Sequence, residues 1–307
     1  MEIQEEASSD GKTIIKPLIG ADDNDNDETK GLTDNIGKGN AILIAGFSGP
    51  GLVGSISSNY IIEQRQMHQI AYIDSDFVAP SAIYIGGKLR HPFRIYADES
   101  GNLCVLICDA PILKSGIRSV FDAVAKWAKR HRIKEIVTLE GIPFQGIPPE
   151  DRNPYVLSSR PAETTLSVEK QASTKQMSSG GLDALLPTTK KTSDVAGTKN
   201  FDPHHIIAPV FYISGFPGAL ISACLLNAIP CTAILIPAPT GIADPEGAAI
   251  LIEELTKIQR IPVAVDTTYL RQIGEELRNQ LRIVINSVRQ QQENEKSMQM
   301  GEVGMYG

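Results

Sequence analysis

The chain has 307 residues, of which 42% are hydrophobic, and a formal net charge of -7. This length and composition predict one sizeable α/β domain or two small ones. The acidic balance repels phosphate backbones, and no run rich in Lys and Arg is interleaved with aromatic residues, so nucleic-acid binding is excluded. No apolar run approaches the ~20 residues needed to cross a bilayer, and the opening residues lack a leader pattern, so we expect a cytoplasmic protein without a membrane partner.

Residues 1–38 predict a disordered acidic tail. The cluster from Asp22 to Glu28 resembles a calcium loop, but it lacks the glycine required at the sixth position. The cysteines, at positions 104, 108, 224 and 231, fall inside apolar runs with no histidine close in sequence. They therefore predict buried, reduced core residues, and we expect no metal site.

From Ala41 onward the apolar pattern alternates between strands and helices. A stripe of apolar residues at helical spacing between Ser115 and His131 is typical of a helix packed on a sheet. The predicted helices of this half are Leu52–Glu63 and Ser115–His131. Its predicted strands are Ala41–Ala45, Gln69–Ile73, Ser81–Ile85, Phe93–Tyr96, Leu103–Cys108 and Glu135–Leu139, the last closed by Gly141.

A polar stretch at about 146–203 separates this half from the next. Apart from a short strand at Tyr155–Leu157 it has little periodicity, and it predicts a mobile insertion. The fold resumes at Ile206 and repeats the earlier pattern of turn, helix and strand, with a strand at Thr232–Ile236. Asp244 then caps a helix over Glu246–Thr256. The two repeats predict a single α/β domain over residues 39–288, built on one largely parallel sheet.

Two glycine-rich turns are the candidate binding elements. In the first, Gly49, Gly51 and Gly54 form G-x-G-x-x-G after a strand, with Asp74 about 20 positions on, which is the dinucleotide-binding fingerprint. The same spacing also serves a sharp turn that packs a helix close to a sheet. Pro50 removes a backbone N–H that a pyrophosphate would need, and the second turn lacks the third glycine. The residues that form structural turns or a ligand site are Gly46, Gly49, Gly51, Gly54, Asp74, Gly215 and Gly218.

Neither turn has the pattern of a catalytic serine. Ser48 and Ser214 do not have glycines two positions away on both sides, so neither is a nucleophile elbow. We expect no catalytic residue, no cofactor and no enzymatic activity. A nucleotide-binding or nicotinamide-binding enzyme that uses the turn from Gly49 to Gly54 is the alternative interpretation.

Apolar residues at helical spacing mark the last helix. The stripe consists of Leu270, Ile273, Leu277, Leu281, Val284 and Val288, while the charged residues Arg271, Glu275, Arg278 and Arg282 lie elsewhere on the helix surface. Two interpretations of the stripe stay open: packing against the chain's own sheet, and self-association. Residues 289–307 are polar and contain glycines, which predicts a flexible tail.

An ordered series of short motifs resembles the proteasome assembly chaperone family in its archaeal branch. The resemblance covers roughly Ala41 to Val288 without the insertion. The motifs that carry it are Gly46-Phe47-Ser48-Gly49-Pro50-Gly51-Leu52-Val53-Gly54, Ile70-Ala71-Tyr72-Ile73-Asp74-Ser75, Arg90-His91-Pro92, Thr138-Leu139-Glu140-Gly141-Ile142-Pro143 and Ile213-Ser214-Gly215-Phe216-Pro217-Gly218-Ala219-Leu220. It implies a three-layer α/β/α sandwich of the phosphorylase-like type, used as a protein-binding platform.

The last three residues, Met305, Tyr306 and Gly307, resemble the hydrophobic-Tyr-X motif that proteasome activators insert between α-ring subunits. The resemblance implies a chaperone or an ATP-independent activator that docks on the α-ring of the core proteasome. Burial of one tyrosine is worth about 4 to 6 kcal/mol before the costs of association, so one tail binds weakly. Several tails bind more tightly, which favours a homo-oligomer. In a third interpretation, the chain is an interaction protein of the same fold whose tail is irrelevant.

Overall fold

A nine-stranded sheet forms the centre of the computed structural model, which describes residues 6–8, 10–18, 36, 40–85, 87–146, 148–160, 212–258 and 260–283. The strands are β1 (Glu6–Ala7), β2 (Thr13–Pro17), β3 (Ile42–Phe47), β4 (His68–Ser75), β5 (Ile83–Ile85), β6 (Lys88–Arg90), β7 (Phe93–Ala97), β8 (Leu103–Cys108), β9 (Glu135–Phe144), β10 (Tyr155–Ser158) and β11 (Cys231–Pro239). The helices are α1 (Val53–Gln64), α2 (Ile117–Arg130), α3 (Gly215–Leu226), α4 (Pro245–Lys257) and α5 (268–283). Of these described helices, none has the length and apolarity to cross a bilayer.

The strand order in the sheet is β1-β2-β4-β7-β8-β3-β9-β11-β10. Strands β8, β3, β9 and β11 pair in parallel, and the strands on either side pair antiparallel. Every residue of β3 and β8 is buried, as the continuous apolar sequences of these two strands require. Strands β5 and β6 form a separate hairpin.

Helices cover both faces of the sheet. Helices α2 and α3 pack on one face over a core that contains Phe47, Phe121 and Trp127. Helices α1 and α4 pack on the other face over a core that contains Ile61 and Leu251. The predicted three-layer α/β/α sandwich is therefore confirmed, with its parallel pairing concentrated in the four central strands.

The predicted disorder of residues 1–38 is wrong for the segment from Thr13 to Pro17. This segment forms strand β2, which pairs antiparallel with β4 and places Ile15 in the core at 0% exposure. The local sequence gives little signal for so short a strand, because its backbone hydrogen bonds and its apolar contacts come from distant parts of the chain. The acidic cluster at 22–28 lies outside the described residues.

Two predicted boundaries in the middle of the chain also need correction. Strand β9 does not close at Gly141 but continues to Phe144. A Cβ on Gly141 would lie 2.2 Å from the carbonyl oxygen of Pro50, so glycine here permits the close approach of the turn after β3 to β9. Residues 148–160, predicted as part of the insertion, belong to the folded domain, because the short strand predicted there is observed as β10 at the sheet edge. Residues 161–203 lie outside the described part of the chain.

Helix α5 packs against its own domain. Leu270 belongs to the core beneath α1 and α4, and a Cβ on Gly274 would lie 2.7 Å from the Cβ of Glu246. Arg278, predicted on the surface, is buried; its Nη1 donates to the carbonyl of Pro148 at 2.7 Å and its Nη2 to the carboxylate of Glu246. The first half of the apolar stripe is therefore explained by intramolecular packing. Val284 and Val288 lie outside the described residues.

All four cysteines are buried, as predicted, and none of them forms a disulfide. Burial raises the pKa of the Cys108 thiol to about 12, so this thiol remains protonated at physiological pH. The capping prediction for α4 is likewise confirmed, since the side chain of Asp244 accepts a hydrogen bond from the Gly247 N–H at 2.9 Å.

Candidate functional site

The two glycine-rich turns meet at one end of the sheet. Gly46 and Phe47 end β3, whereas Gly215 and Phe216 begin α3. The rings of Phe47 and Phe216 have centroids 5.7 Å apart and an interplanar angle of 75°. Strands β3, β9 and β11 run parallel, so their carboxyl ends reach the same edge. This is the edge at which open α/β sheets bind ligands.

A cavity of about 380 Å³ opens between the two turns. We call it the turn cavity; its lining residues include Phe47, Gly49, Glu140, Tyr212 and Phe216. Its volume lies within the range of small-molecule binding sites. Ser48 and Ser214 also line it, but the described lining contains no histidine that could act as a general base for either hydroxyl.

Gly46 and Gly54 bring α1 close to the sheet. A Cβ on Gly54 would lie 2.3 Å from the carbonyl oxygen of Leu139, and one on Gly46 would lie 2.1 Å from the carbonyl oxygen of Gly54. Real Cβ atoms do not approach backbone oxygens this closely, so only glycine fits at either position. Helix packing thus accounts for two of the four glycines in the first turn without any ligand.

Gly49 and Gly51 shape the turn itself. Gly51 has a φ of +65°, a left-handed conformation that favours glycine. A Cβ on Gly49 would lie 1.6 Å from Oε1 of Glu140, so the missing side chain makes room for this carboxyl group. An acidic group against the turn disfavours a pyrophosphate there, and the dinucleotide interpretation loses its main support.

The second turn is built differently from the first. Gly215 has a φ of +68°, and Gly218 packs within the first turn of α3, where a Cβ would lie 2.3 Å from the carbonyl oxygen of Ile213. The predicted helix and following strand are observed as α3 and β11. The sequence predicts that the fold resumes at Ile206, but residues 206–211 lie outside the described part of the chain.

Asp74 lies far from the turn cavity. It belongs to β4, which three strands separate from β9. The Lys16 Nζ donates to Oδ2 of Asp74 at 2.8 Å, and this hydrogen bond lowers the pKa of the carboxyl group. The structure therefore assigns Asp74 to a surface ion pair with β2 and does not place it beside the glycines of the first turn.

Sequence reasoning did not single out Glu140 as a site residue. This glutamate follows five buried residues of β9 and lies half-buried beside Gly49. One of its oxygens accepts a hydrogen bond from the Gly141 N–H at 3.1 Å. Burial raises the pKa of Glu140 from 4.5 to about 7, against the opposing effect of that hydrogen bond. An acidic residue inside an apolar strand is the one sequence signal that points to it.

Glu140→Gln should change how stability depends on pH. The pKa of this carboxyl group is 4.5 in the unfolded chain and about 7 in the folded protein, so the folded protein binds the proton more tightly. The free energy of unfolding therefore decreases as the pH rises between these two values. We expect the stability of the variant relative to wild type to increase by about 2 kcal/mol between pH 5 and pH 8. Urea unfolding at both pH values measures this difference. A difference that stays constant with pH would show that Glu140 ionises normally.

The predicted docking residues Met305, Tyr306 and Gly307 lie outside the described residues. The described chain ends in α5, where Ile283 is 69% exposed. Helix α5 therefore carries the chain to the domain surface before residue 284.

The fold is similar to several solved structures. A Thermoplasma acidophilum protein of unknown function matches with a TM-score of 0.57 and 26% identity, covering 84% of this chain and 90% of that one. Pyrococcus furiosus PbaA, described as an archaeal homolog of proteasome-assembly chaperone, matches with a TM-score of 0.59 and 21% identity, covering 87% and 95%. Pyrococcus furiosus PbaB, described as an archaeal proteasome activator, matches with a TM-score of 0.54 and 19% identity, covering 80% and 93%.

No curated protein gives a significant match. The model of the PAC2 family matches residues 43–285, nearly the span over which the sequence motifs resemble proteasome assembly chaperones. The match includes both glycine-rich turns, Glu140 and helix α5. The predicted family is thus confirmed, and the chain belongs to the PAC2 family.

Proposed function

We propose that the protein is a proteasome assembly chaperone or an ATP-independent proteasome activator. The PAC2 family match over residues 43–285 is the observation that carries this proposal. The similarity in fold to PbaA and PbaB, one described as a chaperone homolog and the other as an activator, supports it. The carboxyl group of Glu140 against Gly49 also favours a protein-binding role over a dinucleotide enzyme.

In this proposal the docking contact is made by Met305, Tyr306 and Gly307 with the α-ring of the core proteasome. The methionine fills an apolar groove, the tyrosine ring and hydroxyl enter a half-polar pocket, and the carboxylate pairs with a lysine. The exposure of Ile283, the last described residue of α5, is compatible with this contact. Since a single tail binds weakly, the active form is a homo-oligomer that engages several pockets at once.

Deletion of Met305–Gly307 should abolish the interaction. The full-length protein and the deletion variant are each mixed with the core proteasome of the same organism, and co-sedimentation and fluorogenic peptide hydrolysis are measured without nucleotide. We expect the deletion to reduce binding by at least about tenfold, because multivalent attachment multiplies the loss at each site. Accelerated hydrolysis by the intact protein would identify an activator; binding without acceleration would identify a chaperone.

Two point variants make the test specific to the motif. Tyr306→Ala should reproduce the deletion, whereas Met300→Ala, which changes the same tail outside the motif, should bind like wild type. If the deletion variant binds as well as the intact protein, the partner surface lies on the α/β body and the tail-docking proposal is wrong. If neither protein binds assembled core particles or free α-subunits, the proteasome role itself is wrong.

A further inference from the structure

Glu140 is an acidic group in a cavity without a compensating charge. The described lining of the turn cavity contains no lysine, arginine or histidine. The other ionisable side chain in this lining is Tyr212, which is 91% exposed and lies at the rim. Beyond the turn, Arg152 and Asp244 form their own salt bridge at 2.7 Å, and a Cβ on Gly51 would contact Asp244 from the turn side. Among the described residues of the lining, none therefore supplies a cation to pair with Glu140.

The rest of the cavity suits an apolar group that carries such a cation. Phe216 contributes a half-buried aromatic side chain to the lining, and prolines and aliphatic residues form much of the remaining wall. Aromatic faces attract ammonium groups, and the hydroxyls of Ser48 and Ser214 supply acceptors for additional N–H donors.

We propose that the turn cavity binds a primary ammonium group on an apolar stem, with Glu140 as its counter-ion. A volume of about 380 Å³ accommodates a stem of several carbon atoms. The same chemistry is presented by a free alkylamine and by a lysine side chain of a partner protein. The proposal does not depend on the proteasome role, since it is argued from the residues of the turn cavity and uses none of Met305–Gly307.

Binding of such a cation must depend on pH in a defined direction. In the free protein the pKa of Glu140 is about 7, so the carboxylate fraction rises from about a tenth at pH 6 to about nine-tenths at pH 8. An alkylammonium group stays protonated over this range, as a lysine side chain does. The affinity should therefore increase about tenfold from pH 6 to pH 8.

The test uses hexylammonium as the probe and hexanol as its uncharged counterpart of similar size. Each is titrated into the full-length protein at pH 6, 7 and 8, and the amide resonances of Gly49, Gly141 and Gly215 are followed by NMR. Hexylammonium should shift these resonances and bind at least about tenfold more tightly than hexanol at pH 8, because only the ammonium group can pair with the carboxylate. Glu140→Gln should remove both this preference and the pH dependence.

A matched variant separates the cavity from general electrostatic attraction. Asp76 is an exposed carboxylate outside the turn cavity, so Asp76→Asn removes the same charge without changing the lining. This variant should bind hexylammonium like wild type. Equal affinity for hexylammonium and hexanol, or unchanged hexylammonium binding in Glu140→Gln, would overturn the proposal.

A final titration identifies the source of the ammonium group. Nα-acetyl-lysine methylamide carries the lysine side chain on a peptide backbone, and it is added to the protein saturated with hexylammonium. Displacement of the amine indicates that the cavity accepts a lysine of a partner protein. Hexylammonium binding that resists displacement indicates a free amine as ligand; both outcomes support the cation site.

Discussion

Gly54→Ala should destabilise the domain severely, although the same substitution in an exposed helix is stabilising by about 1 kcal/mol. Gly54 is the second residue of α1, and a Cβ there would lie 2.3 Å from the carbonyl oxygen of Leu139 and 3.0 Å from the backbone N and O of Phe47. These atoms belong to two central strands that cannot move independently. We expect a loss of about 3 kcal/mol, at the upper end of what overpacking costs.

The measurement is denaturant unfolding followed by fluorescence. Trp127 is the chain's single tryptophan and is completely buried, so its emission reports the loss of the core. Ser55→Ala, one position along the same helix, serves as the control, because Ser55 is half-buried and makes one long hydrogen bond, to Asp109 at 3.4 Å. Its effect should stay within about 1 kcal/mol.

The result separates the two explanations of the glycine pattern. A large loss of stability for Gly54→Ala means that the third glycine is fixed by helix–sheet packing. If Gly54→Ala folds with wild-type stability, the close approach of α1 to β9 is incorrect, and a ligand would again be needed to explain the G-x-G-x-x-G spacing.

Glu135→Gln should cost about 3–5 kcal/mol of stability. Glu135 starts β9 and is completely buried. Its carboxylate accepts hydrogen bonds from Nε and Nη2 of Arg260 at 2.7 and 2.9 Å, and from the Thr232 hydroxyl at 2.6 Å. An amide keeps the size of the side chain but removes the buried negative charge that pairs with Arg260 and with Arg160, whose Nε lies 3.2 Å from Oε2 of Glu135. Loss of these two ion pairs is the main cost.

Glu253→Gln is the matched control. Glu253 forms a similar pair with Arg271, whose Nε donates at 2.8 Å, but the side chains are 34% and 43% exposed. Solvent screens a pair of this kind, so the loss should stay below about 1 kcal/mol. Urea unfolding of both variants at pH 7 measures the contrast. Equal losses would show that burial of Glu135 adds nothing to its ion pair.

The contribution of Glu135 to the stability of the folded protein should also be lost at acidic pH. Burial alone would raise the pKa of Glu135, but hydrogen bonds from Arg260 and Thr232 outweigh it and lower the pKa below 4.5. A carboxyl group with a lowered folded pKa stabilises the protein above its unfolded pKa and loses that contribution as the pH falls. The difference in free energy of unfolding between wild type and Glu135→Gln should therefore become smaller below about pH 5.

The sequence indicated the sandwich because its main elements carry strong local signals. Strands β3 and β8 are continuous apolar runs, and α2 has an apolar stripe at helical spacing, so their type follows from short segments. Strand β2 has no such signal, because it is ordered by pairing with β4. The contact between Lys16 of β2 and Asp74 of β4 joins residues 58 positions apart in the chain. Local pattern therefore predicted the centre of the sheet and the edge strand β10, and missed β1 and β2 at the opposite edge.

The candidate site, like the sheet, was predicted from the sequence only in part. The sequence identified both glycine-rich turns, because a strand that turns sharply into a helix needs glycine whatever else it binds. It also assigned the family, through motifs spread along the chain. It did not indicate that Glu140 lies against Gly49, nor that three strands separate Asp74 on β4 from Glu140 on β9.

The sequence by itself therefore determined the secondary-structure elements, the turns and the family. Each of these is indicated by short segments of neighbouring residues. Only the tertiary structure decided which glycines serve helix packing and which one makes room for a carboxyl group. The physical reason is that desolvation is a property of the assembled site. Glu140 loses its water because residues 47–50 and 212–217, far apart in the chain, close over it, and its raised pKa exists only in that arrangement.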